Sequence, residues 1–353
     1  MSVVASDTYR VASSGVAHRN NFNLIRLLAA IQVMVVHTLN HFEVTGYAVD
    51  ALKIVPGVPV FFFISGYLIG GSYIRTHGRG LSAYAANRAL RIFPALWVCV
   101  VLSTLSVFAM GYMACISVNP FQLLVWVAGQ ASFLQFYNPE FMRGYGAGVL
   151  NGALWTISVE LQFYILAPLI FLAFMRVKIL AAAVFVVSIV ANIYFREFAN
   201  WDSFVNKIVY VTFLPWVYMF MVGFAVAYWR PIQAWLLKVP YVVLILAYVA
   251  SMFLIGNYTI NAQNSINPLS FLLIAALIFK LGYARIPLAD DVNDFVRRND
   301  FSYGIYLFHM PVINAFLYAG AGLWSIWAIM AVTILLGVAS WYLVERPALS
   351  FKR

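Results

Sequence analysis

The search for chemistry starts at one imidazole inside an apolar run. His37 lies in LIRLLAAIQVMVVH, with ten residues between it and Arg26. At a rise of about 1.5 Å per residue the two are roughly 16 Å apart along a helix. A neutral imidazole is the natural general base for an alcohol, and a hydrogen bond between helices is its structural alternative. Arg26 reads either as a snorkelling anchor or as a functional cation. His41 follows one turn after His37 on the same face. A histidine pair at that spacing could hold zinc, but no third ligand has a claim, so no metal site is expected.

Glu160, in WTISVELQFY, stands at a similar depth to His37, in an apolar run of opposite direction. A carboxylate that reaches an imidazole orients it and stabilises its charged form; alternatively it ties helices together. Arg88 and Arg91, in NRALRIFP, share a helix face. Two guanidinium forks there suit phosphate oxygens, or simply anchor the helix end. Arg75 and Arg79, in the loop just before, could extend either role. His309, in FSYGIYLFHMP, is a packing or site-lining residue. Glu345, in VERP, is expected in a salt bridge or a helix-end contact rather than in the chemistry. Ser65, in FFFISGYLIG, adjoins Gly66 where close helix packing explains a small residue.

The elements that hold these residues follow from composition. The chain has 353 residues, 64% hydrophobic and 10% charged, with mean hydropathy +0.87. A soluble domain carries about 25% charged residues, so this surface faces lipid. The net charge of +10 could suggest nucleic acid, but the basic residues sit between apolar runs and read as a topology signal. No nucleic-acid partner is expected. Cys99 and Cys115 are expected to be small core hydrophobes. Residues 1–20 have no hydrophobic run and read as a disordered cytosolic tail ahead of one transmembrane domain, 21–353.

A spanning helix needs about 20 mainly apolar residues. Ten runs qualify, near 22–43, 54–75, 90–111, 154–175, 179–196, 207–229, 238–256, 266–281, 302–319 and 324–344. An eleventh segment, 120–137, is ambiguous. If it does not cross, 18 of the 22 Lys and Arg fall on one side, with Lys53, Arg143, Arg196 and Lys207 opposite. If it crosses, that asymmetry collapses. The positive-inside rule therefore predicts an all-α bundle of ten spans with both termini cytosolic. Segment 120–137 becomes a re-entrant or interfacial helix, which needs a covered outer vestibule. The arginines then lie at the cytosolic edge and His37 in the outer third. The gap between them is on the order of 20 Å in a core about 30 Å thick, about the reach of the pantetheine arm of coenzyme A.

These pieces resemble the acyltransferase 3 family of membrane acyltransferases from about Asn21 to Pro347. The matching segments are LIRLLAAIQVMVVH, PVFFFISGYLIG, NRALRIFPALW with Pro94, LWTISVELQFYILAP with Trp155, Ser158 and Glu160, SYGIYLFHMP with Ser302, Tyr303 and His309, and VERP. The resemblance implies transfer of an acyl group, usually acetyl, from cytosolic acyl-CoA to a hydroxyl at the outer side of the bacterial inner membrane. It makes His37 the catalytic base or transient acyl carrier, with Glu160 as the family's carboxylate. Arg88 and Arg91 become the donor-binding pair, and Arg26 the arginine that accompanies the histidine. Ser65, Trp155, Ser158, Tyr303 and His309 are substrate-lining candidates. Acyl-CoA is then a substrate rather than a resident cofactor, and the acceptor is a glycan or a lipid-linked saccharide. Many members carry a C-terminal periplasmic hydrolase-like domain. This chain stops at Arg353, so a second transfer step is expected either to use another protein or not to occur.

Two other readings compete. A transporter or proton-coupled exporter would use His37, Glu160 and His309 as a polar relay, and inverted repeats would favour it; none is visible. A membrane scaffold would keep its function without His37.

Overall fold

In a computed structural model, the residues described are 20–76, 80–255, 264, 266–285 and 290–352. The tail expected over 1–20 lies outside them save for Asn20, as do Arg79 and the side chain of Arg75. All regular secondary structure among the described residues is helical, without strands.

Helix α1 spans Phe22–His41, α2 Tyr47–Leu52, α3 Gly57–Thr76 and α4 Leu81–Ala109. After the segment 110–154, which holds α5 (Pro120–Gln130), come α6 (Trp155–Arg176), α7 (Lys178–Glu197), α8 (Phe204–Tyr210) and α9 (Val217–Tyr228). The chain continues through α10 (Arg230–Lys238), α11 (Tyr241–Leu254), α12 (Pro268–Gly282) and α13 (Asp290–Arg298). It closes with α14 (Ser302–Tyr318), α15 (Ile326–Ser340), a π-turn at Trp341–Glu345 and α16 (Arg346–Leu349).

Six helical runs are long and apolar enough to cross a bilayer, and a seventh counts if α10 and α11, bent by 93°, form one broken span. The expected ten exceed this because three runs are built shorter. The run 207–229 breaks at the turn before Trp216, leaving the 12 residues of α9. Helices α12 and α14 have 15 and 17 residues. At about 1.5 Å per residue these reach roughly 18, 22 and 26 Å, short of a core about 30 Å thick. Helix α5, with 11 residues, reaches only about 16 Å. It starts sharply because Asn119 accepts from the Phe121 amide at 2.8 Å and Pro120 occupies the first turn.

Two glycines fuse α3 to α9. A Cβ on Gly66 would stand 2.0 Å from the Phe220 carbonyl oxygen, and one on Gly223 would stand 2.1 Å from that of Phe63. Only hydrogen at both positions lets the backbones meet, as small residues do between membrane helices. That contact sets the height of Ser65, beside Gly66. Many large apolar side chains point outward, among them Ile165, Leu169, Val186, Val190, Leu335 and Leu343. They face the solvent that composition predicts, which is lipid. Cys99 is buried as expected. Cys115 is exposed, because it follows a 3₁₀ turn at Tyr112–Ala114 beyond the end of α4.

Candidate active site

The site is built on α1, α4, α6 and α14. Helix α1 is fixed at its start by Asn21, whose side-chain amide donates to the carbonyls of Leu281 at 3.1 Å and Ala284 at 2.7 Å. Eleven residues after Arg26 it presents His37, which is half-buried. The Nδ1 of His37 lies 3.2 Å from Met310 Sδ, and its ring centroid is 5.2 Å from that of His309 and 6.3 Å from that of His41. A thioether only accepts, so the His37 Nδ1 carries the hydrogen and Nε2 keeps its lone pair.

His309 is fully buried, and its Nδ1 lies 2.7 Å from the Tyr306 carbonyl oxygen. The carbonyl likewise only accepts, so here too Nε2 holds the lone pair. That Nε2 is buried with no hydrogen-bond partner among the described residues. No group of three or more His, Cys, Asp or Glu side chains among those residues is arranged to hold a metal ion.

Glu160 does not orient His37. Its carboxylate accepts from Ser65 Oγ at 3.0 Å and Tyr164 Oη at 2.6 Å. The depth count along α6 placed it too far out. Thr156 meets the Tyr306 hydroxyl at 2.6 Å, one turn inward of His309, and Glu160 lies a further turn inward along α6. The carboxylate therefore stands between the histidines and the arginines along α6.

At the basic mouth, Asp300 is the centre. It is 6% exposed and pairs with both Arg26, at 2.5 Å, and Arg91. Ser302 donates to it from its hydroxyl. Burial pushes the Asp300 carboxyl up, but Arg26, Arg91 and Ser302 more than reverse this and hold it at about 2. Arg91 also lies 3.5 Å from Glu345, which takes a further hydrogen bond from Ser340 at 3.0 Å across the π-turn. The salt bridge expected of Glu345 is thus made.

The arginine pair is divided in its contacts. Arg88 has no carboxylate partner among the described residues; its guanidinium lies 5.6 Å from the Tyr164 ring and 6.0 Å from the Tyr84 ring, and its Nε is buried and unpaired. Lys352, exposed, faces the same cluster. Partial desolvation, then the charges of Arg88, Arg91 and Arg26, lowers its ammonium to about 8.

The remaining sequence candidates divide. Tyr303 belongs to this layer: its hydroxyl donates to the Ile92 carbonyl at 3.0 Å, and Arg91 lies 5.6 Å from its ring. Ser158 is fully buried and donates to Gln135 at 2.9 Å, and Trp155 packs on Tyr210 and Trp216. These two tie α6 to the segment before it and to the turn before α9.

The segment between α4 and α6 covers the histidine end. Asn314 accepts from the Ala147 amide at 2.8 Å and donates to the carbonyls of Val149 and Leu150; Asn151 donates to the Leu307 carbonyl at 2.8 Å.

Sequence reasoning missed Asp300 and Met310. Asp300 lies two residues before the expected span 302–319, outside every segment that resembles the family. The scarcity of acidic residues, 12 in all, is the signal that could have singled it out.

A helical membrane bundle that sets an imidazole above a cluster of paired arginines is the class of protein defined here. The chain belongs to the acyltransferase 3 family, whose description, an acyltransferase domain, matches residues 19–346. It is 31% identical over 362 residues to nodulation protein 10 of Rhizobium leguminosarum bv. viciae, covering 96% of this chain and 95% of that protein. It is 27% identical over 355 residues to an O-acetyl transferase of Shigella phage Sf6, covering 94% and 97%. No solved structure matches the chain.

Proposed function

We propose that this membrane O-acyltransferase takes an acyl group, most simply acetyl, from acyl-CoA at its basic mouth. It delivers the group to a hydroxyl of a cell-envelope or exported glycan at the opposite face of a bacterial inner membrane. The topology that goes with this reading has ten spans, some of them short or broken, and both termini in the cytosol. The observation that carries it is His37: half-buried, with Nδ1 committed to Met310 and Nε2 open, on the same helix as Arg26. The phage relative, described as an O-acetyl transferase, supports the acetyl group and the oxygen acceptor.

Arg88, free of carboxylates among the described residues, and Lys352 supply positive charge for the donor's phosphates. Arg91 and Arg26 are already neutralised by Asp300 and serve first to shape the mouth. In direct transfer the acceptor oxygen attacks the thioester carbon while His37 Nε2 takes the hydroxyl proton. The carbon–sulfur bond breaks, and the same proton passes to the departing thiolate. In the two-step form Nε2 itself bonds to the acyl carbon and the thiolate leaves; the acceptor oxygen then displaces the imidazole, whose freed Nε2 takes the hydroxyl proton and passes it on to the thiolate.

The test uses purified protein in lipid vesicles with radiolabelled acetyl-CoA and crude envelope glycan. Wild type should move label into glycan, and His37→Ala should not. Label transfer by His37→Ala at the wild-type rate would remove His37 from the chemistry. Failure of wild type to bind acetyl-CoA would remove the donor.

A further inference from the structure

A second site lies away from the histidines. A cavity of about 420 Å³ opens between α7, α9, α10 and α12. Phe185, Ala225, Trp229, Leu236 and Ala276 are among the residues that line it, and Lys178 is the only charged one. No residue of the candidate active site takes part. Its volume is that of a small-molecule site, yet an apolar wall offers a ligand almost nothing but dispersion. Water has no partners there either.

Its setting identifies the occupant. Helix α10 meets α11 at 93°, so it cannot continue that helix through a bilayer. It exposes Arg230 and Lys238 and buries Leu236 toward the cavity, while Gln233 turns in and donates to the Val226 carbonyl of α9 at 2.8 Å; exposed cations beside the exposed indole of Trp235 suit a helix lying in an interface. Lys178 is itself exposed, so it stands at the rim. Arg176 and Arg230, also exposed, flank lining positions in sequence. A hydrocarbon pit under an interfacial helix, with one cation at its rim and two more beside lining positions in the chain, matches a molecule with an apolar tail and an anionic head.

We propose that this cavity holds one acyl chain of an anionic phospholipid from the leaflet on the basic side, its phosphate paired with Lys178 and the neighbouring arginines. The bound lipid fills space between α9 and α12 and stiffens the face of α9 opposite α3. Nothing in this reading depends on acyl transfer.

The test is native mass spectrometry of the full chain released from detergent. Phosphatidylglycerol and phosphatidylcholine of identical chains are the probes, with a polyprenyl phosphate as competitor. Wild type should retain one phosphatidylglycerol and prefer it over phosphatidylcholine by roughly fivefold or more, about the attraction of one cation near an anionic surface. Ala276→Phe, which fills the pit, should lose the retained lipid. Lys178→Glu, at an exposed position that leaves the core intact, should keep chain retention but lose the head-group preference. Equal retention by wild type and Ala276→Phe would overturn the proposal. So would an unchanged preference in Lys178→Glu, which decides the matter if the filled variant does not fold. Retention of the polyprenyl phosphate alone would overturn it in favour of a lipid-linked substrate.

Discussion

The rings of His37 and His309 meet edge to face, 5.2 Å between centroids and 76° between planes. Each has Nδ1 committed to a group that only accepts, Met310 Sδ for one and the Tyr306 carbonyl for the other. The Nε2 of His309 is thus left buried with no hydrogen-bond partner among the described residues, beside the half-buried His37 ring. A buried acceptor without a donor costs stability, and a proton that visits during turnover would give it one. The seat expected for Glu160 is occupied by a second imidazole.

His309→Phe keeps the ring and removes both nitrogens. Acyl transfer should fall by about a hundredfold, the contribution of a positioned proton-transfer group. The thermal midpoint should hold or rise, because an orphaned acceptor has gone. Initial rates and thermal unfolding on one preparation test this. A wild-type rate would reduce His309 to packing.

Asp300→Asn leaves two guanidinium groups without their shared carboxylate. Breaking a buried pair costs about 3–5 kcal/mol, so the variant should unfold well below wild type. Acid should mimic it. The Asp300 carboxyl sits below its ordinary value of 3.8, so its stabilisation is present above that range and is lost as pH falls toward about 2. Unfolding followed from pH 5 to pH 2 should therefore show a loss that the variant lacks.

Lys352 carries its charge below about pH 8 and sheds it above. If it helps to hold the donor's phosphates, KM for acetyl-CoA should be flat up to about pH 7 and rise several-fold by pH 9, with kcat less affected. Lys352→Met should show the raised KM at every pH. A parallel rise in both proteins would assign the effect elsewhere.

Gly66→Ala places a methyl 2.0 Å from the Phe220 carbonyl oxygen, on backbone that cannot swing aside. Overpacking of this kind costs about 1–3 kcal/mol, and the shift of α3 would move Ser65 off Glu160. Both the unfolding midpoint and the activity should drop, and Ser65→Ala should lower activity with a smaller thermal effect.

How much of this was legible in the chain depends on whether a residue's partner is local. His37, Arg26, Arg91 and Glu345 stood out because ionisable groups are rare in apolar runs. The brevity of α5 was readable from Asn119-Pro120 and from where the basic residues fall. The partners were not. Arg26 and Asp300 are 274 positions apart, and no periodicity in either segment announces that they meet. Counting residues from a presumed membrane edge put Glu160 level with His37, but a break or bend shifts such a count by a turn. The same weakness turned 207–229 into one long helix. Its hydropathy is continuous, and the break is held by distant side chains, Gln162 on the amide of Phe213 and the carbonyl of Val211, and Asn192 on the carbonyl of Pro215.

The grip of Asp300 on Arg26 and Arg91 has a metric consequence. It pins α1 and α4 at one height, and His37 rides α1 eleven residues beyond the pin. The interval from mouth to imidazole is then set by helix rise, roughly 16 Å, and not by the slack of any side chain. The bundle behaves as a fixed-length gauge. A donor with a shortened or extended arm could still anchor its phosphates, yet it would present its carbonyl at the wrong level. Such analogues should bind as tightly as the natural donor and turn over poorly, a selectivity of length with no pocket wall required to enforce it.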